Sequence, residues 1–255
     1  MRTSFLSLRY YLGWKDALRV VMKAETNRFN MLKLDAFKHP IYFRSFKEDF
    51  GVFRSVLVNK EYDYRLPFKP TKIIDAGGNI GTASIWFANK FPDAKIITLE
   101  PSGYNYPWLV KNTQLYPNIT AYQGGLWGKP ANLEVVDNGK GHTSFQVREV
   151  PEPTADSIKA YSIPQLMEMH GWNEIDILKL DIQGSEKNVI MTNPEKWLPK
   201  TKFISVEFHD RFVKDSSKEF FKVISQYNFS MEPLSESLLF YNEDLVQMFK
   251  PYHES

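Results

Sequence analysis

Six polar side chains stand at the ends of four apolar runs: Asp75 in "KIIDAGGNIG", Glu100 in "KIITLEPS", Lys179 and Asp181 in "DILKLDIQG", and Glu207 and His209 in "ISVEFHD". Carboxylates, an ammonium and an imidazole gathered this way suit two tasks: holding a polar cofactor and taking a proton from a nucleophile. Asp75 stands two residues before a glycine-rich corner, Gly77-Gly78-Asn79-Ile80-Gly81. A dinucleotide corner, G-x-G-x-x-G, needs glycine where the pyrophosphate approaches, and counted from Gly77 that position is Asn79. A carboxylate at position 75 would repel a pyrophosphate and attract the amino and sulfonium groups of S-adenosylmethionine. Glu100, 19 residues after Gly81, is placed to accept hydrogen bonds from ribose hydroxyls, which both cofactors carry. Asp75 and Asn79 together point to the methyl donor; an NAD-dependent oxidoreductase is the rival with different chemistry.

Methyl transfer to oxygen is an in-line displacement, aided by a base that removes the hydroxyl proton. Strand alternation puts Lys179 with Asp181 on one face and Glu207 with His209 on one face. His209, with an ordinary pKa of about 6.5, is the expected general base, and Asp181 the second, as base or as an orienting group. Lys179, Glu207 and His142 of "GHTSF" are expected to touch the acceptor, with a solvated loop position the competing reading for His142. Glu186 is expected to serve a helix start, where a carboxylate favours the dipole. Carboxylates and His209 could assemble a hard-cation site for a metal-assisted variant, but five scattered histidines without HxH or HExxH spacing give it only weak support. Zero cysteines exclude disulfides, thiolate ligands and Cys nucleophiles.

Strands and helices must alternate to place these residues at one edge. "KIIDAG", "AKIITLEP", "NITAYQGGLW", "EIDILKLDIQG" and "TKFISVEFHD" are short runs rich in Ile, Val or Phe, as buried parallel strands are. Helical stretches "GTASIWFANKF", "NYPWLVKNTQLY", "IPQLMEMHGW", "SEKNVIMTNPEKW" and "SSKEFFKVISQY" separate or follow them. The pattern predicts an α/β fold, a mostly parallel sheet covered on both faces. "FSMEPLSESLLFYNEDLVQM" reads as two further strands joined tightly, so the sheet is expected to end in a hairpin. Residues 131–150 interrupt the alternation as a hairpin insertion around "DNGKG", followed by a stiff polar linker at 151–157.

The expected division is a helical lead-in over 1–70, with a short strand "IYFRS" and a helix "EDFGVFRSVLVNKEYD", and a cofactor-binding domain over 71–255. The lead-in holds 14 Lys/Arg against 7 Asp/Glu, and the remainder 18 against 23. That basic segment could meet an anionic membrane surface, although a solvated helical face accounts for it equally simply. No apolar run reaches the roughly 18 residues of a membrane span, and the chain is expected to be cytoplasmic. A net charge of +2 gives no sign of a nucleic-acid surface.

"DAGGNIGTAS", "ITLEPS", "IDILKLDIQGSE" and "ISVEFH", with "IYFRSFKEDFGVFRSVLVNKEYD" ahead of them, resemble in order and spacing the FkbM family of S-adenosylmethionine-dependent methyltransferases. The resemblance spans residues 41 to 210. It implies a class I methyltransferase fold, a Rossmann-like seven-stranded sheet with its last strand antiparallel, and O-methylation of a small-molecule or glycan hydroxyl. It also implies that Asp75, Gly77, Gly78, Asn79 and Gly81 form the cofactor loop, that Glu100 contacts ribose, and that Gly125 and Leu126 lie near the adenine. Gln183 stands where the family usually has Glu, so no role as base or metal ligand carries over to it. Homo-oligomerisation is compatible with the sequence, and a non-catalytic S-adenosylmethionine-binding protein is the alternative of another class.

Overall fold

A computed structural model describes residues 5–25, 30–136 and 145–246. The chain opens with α1 (Phe5–Leu12) and α2 (Trp14–Glu25), a two-stranded ribbon of β1 (Met31–Leu32) and β2 (Ile41–Tyr42), and α3 (Phe46–Phe53), which runs into a π-helical turn at Arg54–Val58. Ser45 caps α3 by accepting from the Glu48 N–H, and Gly51 lies inside the helix without breaking it.

Strand and helix then alternate through β3 (Lys72–Ala76), α4 (Thr82–Lys90), β4 (Lys95–Glu100), α5 (Tyr106–Thr113) and β5 (Ile119–Leu126). An antiparallel pair follows, β6 (Asn132–Val136) and β7 (Gln146–Val150), then β8 (Ile158–Tyr161), α6 (Ile163–His170), β9 (Ile175–Leu180) and α7 (Glu186–Met191). β10 (Thr201–Glu207), α8 (Ser216–Ile224), β11 (Phe229–Leu234) and β12 (Ser237–Asn242) complete the chain. No helix among the described residues is long and apolar enough to cross a membrane.

All the strands from β3 onward join one sheet, in the order β11-β12-β10-β9-β3-β4-β5-β8-β6-β7. From β5 to β11 this is the expected seven-stranded arrangement, with β12 antiparallel to both β10 and β11. The strand order reverses between β3 and β9, and crevices form at the carboxyl ends of strands beside such a switch point. The hairpin at 131–150 forms, although its turn, His142 included, lies outside the described residues. β8 was not expected. "IKAY" is too short and mixed to announce a strand, and it is held by parallel pairing of Gly124–Leu126 with Lys159–Tyr161. The helix expected over "SEKNVIMTNPEKW" stops at Met191, because Pro194 has no N–H to continue it.

Two hydrophobic clusters flank the sheet. One joins lead-in residues such as Leu8, Val20, Phe43 and Leu57 to Ile73, Phe87 and Phe203 in a single core. The other unites Leu99, Leu166, Leu178, Trp197, Val206 and Phe220.

At the end of the sheet away from the crevice, buried Asp176 accepts from Thr71 N (2.6 Å), Thr71 Oγ1 (2.8 Å) and Lys72 N (3.0 Å), and pairs with Lys202 Nζ (2.7 Å). Burial pushes its pKa up, but Lys202 and Thr71 outweigh that and hold it below the usual value. Asp176→Ala strands those donors, at a cost of about 2–4 kcal/mol. The melting temperature should therefore fall by roughly 5–15 °C. An unchanged melting curve would refute this role for Asp176.

Candidate active site

The corner after β3 turns on contacts to residues far along the chain. Asp75 is fully buried. Its Oδ2 accepts from Ser84 Oγ at 2.5 Å, and its Oδ1 pairs with Lys179 Nζ at 2.9 Å. The same ammonium donates to the carbonyls of Ala76 (3.3 Å) and Gly77 (3.2 Å), so one buried cation fixes the start of the turn. Burial pushes the Lys179 pKa down; Asp75 and Asp181 outweigh this and raise it.

Gly77 takes a left-handed φ of +85°, and a Cβ there would stand 1.9 Å from the carbonyl oxygen of Asp181. A Cβ on Gly78 would meet Thr98 Oγ1 at 2.4 Å. These glycines admit neighbouring strands and side chains. The loop amides are also occupied: Gly77 and Gly78 donate to Leu99 O, Asn79 to Glu100 Oε2 (2.8 Å) and Gly81 to Gly78 O. These four amides are not free to meet a pyrophosphate.

Glu100 is 4% exposed and also accepts from Ser102 N (3.0 Å) and Asn105 Nδ2 (3.2 Å). Burial raises its pKa to about 7 against the opposing hydrogen bonds from Ser102, Asn79 and Asn105. Arg44, from the lead-in, reaches this loop. It pairs with buried Asp49, donates to Asn105 Oδ1, and lies 3.3 Å from Asn79 Oδ1. Nothing in the sequence marked Arg44, because its partners at the cavity, Asn79 and Asn105, are 35 and 61 residues away.

Two cavities open at this edge. The first is lined by Glu100 and Asn105 on its polar side, and by Leu99, Leu126, Phe145 and Ile182 among its apolar walls. Gly125 also lines it. The second, about 360 Å³, is bounded by Glu48, Glu61, Lys179, Glu207, Arg211 and Glu236 among others. They meet at Gly77, Asn79, Asp181 and Gln183, which line both.

The predicted residues thus separate by position. Gly77, Gly78, Asn79, Glu100, Gly125, Leu126, Lys179, Asp181 and Glu207 line one cavity or both. Gly81 lines neither; its φ of +90° shapes the start of α4. Asp75 is a correction: it lines neither cavity, and Lys179 compensates its charge, so it does not face a sulfonium here. It anchors the loop instead.

His209 is the second correction. It is 1% exposed and lines neither cavity. Its Nδ1 lies 3.0 Å from Glu186 Oε1, and its Nε2 lies 3.3 Å from Glu207 Oε1 and 3.7 Å from Asp181 Oδ1. Burial pulls its pKa down, but Glu186, Glu207 and Asp181 prevail and raise it to about 10. Gln183 presents its amide nitrogen 3.0 Å from Nε2, which would suit a neutral ring. That nitrogen also donates to Asp181 Oδ1 at 3.1 Å, so the amide is held as it stands; three carboxylates around the ring outweigh this one contact, and the imidazolium is the better account. A buried imidazolium has no lone pair for an acceptor's proton.

Asp181, Glu207 and His209 place one donor atom each within 4.8 Å of one another, and these types could also hold a hard cation. Glu186, beyond starting α7, accepts from Ile182 N (3.1 Å) and fixes His209. Asp181 keeps an open face, and burial raises its pKa, with Glu207 and Glu186 adding to the shift and Lys179 and His209 opposing it. A carboxylate of raised pKa that borders both cavities is the better-placed base.

Glu61, half-buried in the second cavity, has its pKa raised to about 7, first by burial and then by Asp181, Glu207 and Glu236, with Lys179 opposing. The folded state then binds this proton more tightly than the unfolded chain. Stability falls as pH rises from the ordinary carboxylate range towards 7, and the penalty is complete above it. Glu61→Gln should therefore raise the melting temperature at pH 8 by about 2–4 °C, the shift that roughly 1 kcal/mol produces at this size. It should have little effect at pH 4.5. A variant equally shifted at both pH values would contradict the assignment.

Residues 75–231, more than half of the chain, match the methyltransferase FkbM domain. The chain is 27% identical over 209 residues to Methyltransferase sdnD of Sordaria araneosa, covering 68% of this chain and 80% of that protein. It is 23% identical over 170 residues to Methyltransferase 1 of Beauveria bassiana (strain ARSEF 2860), covering 57% and 68% respectively. A solved methyltransferase FkbM from Methylobacillus flagellatus KT aligns at 16% identity and a TM-score of 0.49, over 73% of this chain. This chain spans 47%, about half, of that structure's length. The matched span runs from Asp75 across the corner, Glu100, Asp181 and His209, and the chain belongs to the FkbM family of methyltransferases.

Proposed function

We propose that this methyltransferase uses S-adenosylmethionine to methylate a hydroxyl oxygen of a small hydroxylated acceptor, a glycan or a secondary metabolite. The observation that carries the reading is the pair of cavities meeting at Gly77, Asn79, Asp181 and Gln183, one bordered by Glu100 and apolar walls and one open and polar.

The residues present fit the cofactor. Glu100 Oε2, which accepts only from Asn79 N, keeps a lone pair for one ribose hydroxyl, and Leu99, Leu126, Phe145 and Ile182 offer apolar walls for a flat base. The spent loop amides argue against a dinucleotide, which replaces the part first given to Asp75. When bound, S-adenosylmethionine supplies an electrophilic methyl group, and its sulfur keeps the electron pair of the broken bond.

The chain supplies position and a proton acceptor. Asp181 borders both cavities and takes the hydroxyl proton as the oxygen gains its methyl group. The imidazolium of His209 lies beside Asp181 and Glu207, holding both carboxylates in place from below the cavity surface. Lys179 keeps the Gly77 carbonyl, and with it the shared rim, in register.

Calorimetry should show S-adenosylhomocysteine binding and no heat from NAD⁺. Glu100→Ala should weaken that binding at least tenfold, about 1.4 kcal/mol. A protein that binds only NAD⁺ would end the reading. Asp181→Asn should lower kcat by about 10²–10⁴-fold, the usual contribution of a general base. Full activity in Asp181→Asn would remove Asp181 as the base.

A further inference from the structure

The second cavity carries more negative charge than its own surroundings offset. Its walls include the carboxylates Glu48, Glu61, Asp181, Glu207 and Glu236, against the cations Lys179 and Arg211. Lys179 is committed to Asp75. Glu48 stands near Arg44 (3.9 Å) and Glu207 near His209 (3.3 Å). Among the described residues, Glu61 and Glu236 have no such ion pair, and Glu61 lies close enough to Asp181, Glu207 and Glu236 to feel all three. This excess sits in a chain whose net charge is +2, so it is a property of the cavity and not of the composition.

From this charge, and on the reading that this cavity takes the acceptor, we infer that the acceptor is a hydroxylated amine, an amino sugar or amino alcohol, whose ammonium group sits against Glu61, Glu207 and Glu236. A neutral polyol could donate hydrogen bonds to these carboxylates but would leave their mutual repulsion in place. A phosphorylated or carboxylated acceptor would add to it. An ammonium relieves the repulsion and offers three donors, while its neighbouring hydroxyl is directed towards Asp181. During transfer the amine keeps its proton; the hydroxyl proton alone leaves, to Asp181. Glu61 and Glu236 come from opposite ends of the chain, the lead-in and the β11–β12 turn, so selectivity for the amine rests on elements outside the cofactor corner.

The test is calorimetry at pH 7 on protein loaded with S-adenosylhomocysteine, using matched probes: glucosamine with N-acetylglucosamine, galactosamine with N-acetylgalactosamine, and serinol with glycerol. In at least one pair the free amine should bind tenfold or more tightly than its neutral counterpart. Glu61→Gln with Glu236→Gln should erase most of that preference while S-adenosylhomocysteine still binds. Equal binding within every pair, tighter binding of the neutral members, or no probe binding to the loaded protein would overturn the inference. So would binding that requires Mg²⁺ and ignores the amine. Failure of S-adenosylhomocysteine itself to bind would instead sink the cofactor reading.

Discussion

An ammonium and a carboxylate, both shut away from water, hold the two central strands of this protein in register at the active edge. Lys179 and Asp75 are paired across β9 and β3, and the lysine also grips the carbonyls of Ala76 and Gly77. A buried pair of this kind adds little to net stability, yet losing one partner typically costs about 3–5 kcal/mol because the other charge is stranded. Its value here is geometric. With the Gly77 carbonyl fixed, the Asp181 backbone can approach to where no β-carbon fits, and the two cavities share one rim.

The second determinant is the charge buried beneath that rim. Glu186, Glu207 and Asp181 surround a single imidazole, and the proton they draw onto His209 turns a residue often used as a base into a fixed cation. Its neighbour Asp181 keeps an open face and a raised pKa. The division follows from burial: the residue sealed in the interior keeps its proton, and the one at the surface of the cavity can exchange it.

Much of the fold was legible because parallel strands must be apolar throughout and their ends must turn. The five parallel runs, the closing hairpin and the Gly77-Gly78 corner could all be read from spacing. Partners could not. Asp75 looked like a free charge because its lysine lies 104 residues on, and the glycines looked like space for a ligand because Asp181 and Thr98 come from other strands. The motif "EFH" shows a histidine at a strand end without showing that Glu186 lies behind it. β8 escaped because four mixed residues gain their conformation from β5 and β6 rather than from their own pattern.

The Arg44 fork has a wider implication. By tying Asp49 to Asn79 and Asn105, it makes the leader one half of a mould whose other half is the sheet. The sheet and its loops shape the first cavity, whereas the lead-in contributes Glu48, Val52, Ser55, Glu61 and Tyr62 to the second. A change in the lead-in that spares Arg44 therefore alters the walls of the second cavity while the first keeps the support of Asn79 and Asn105.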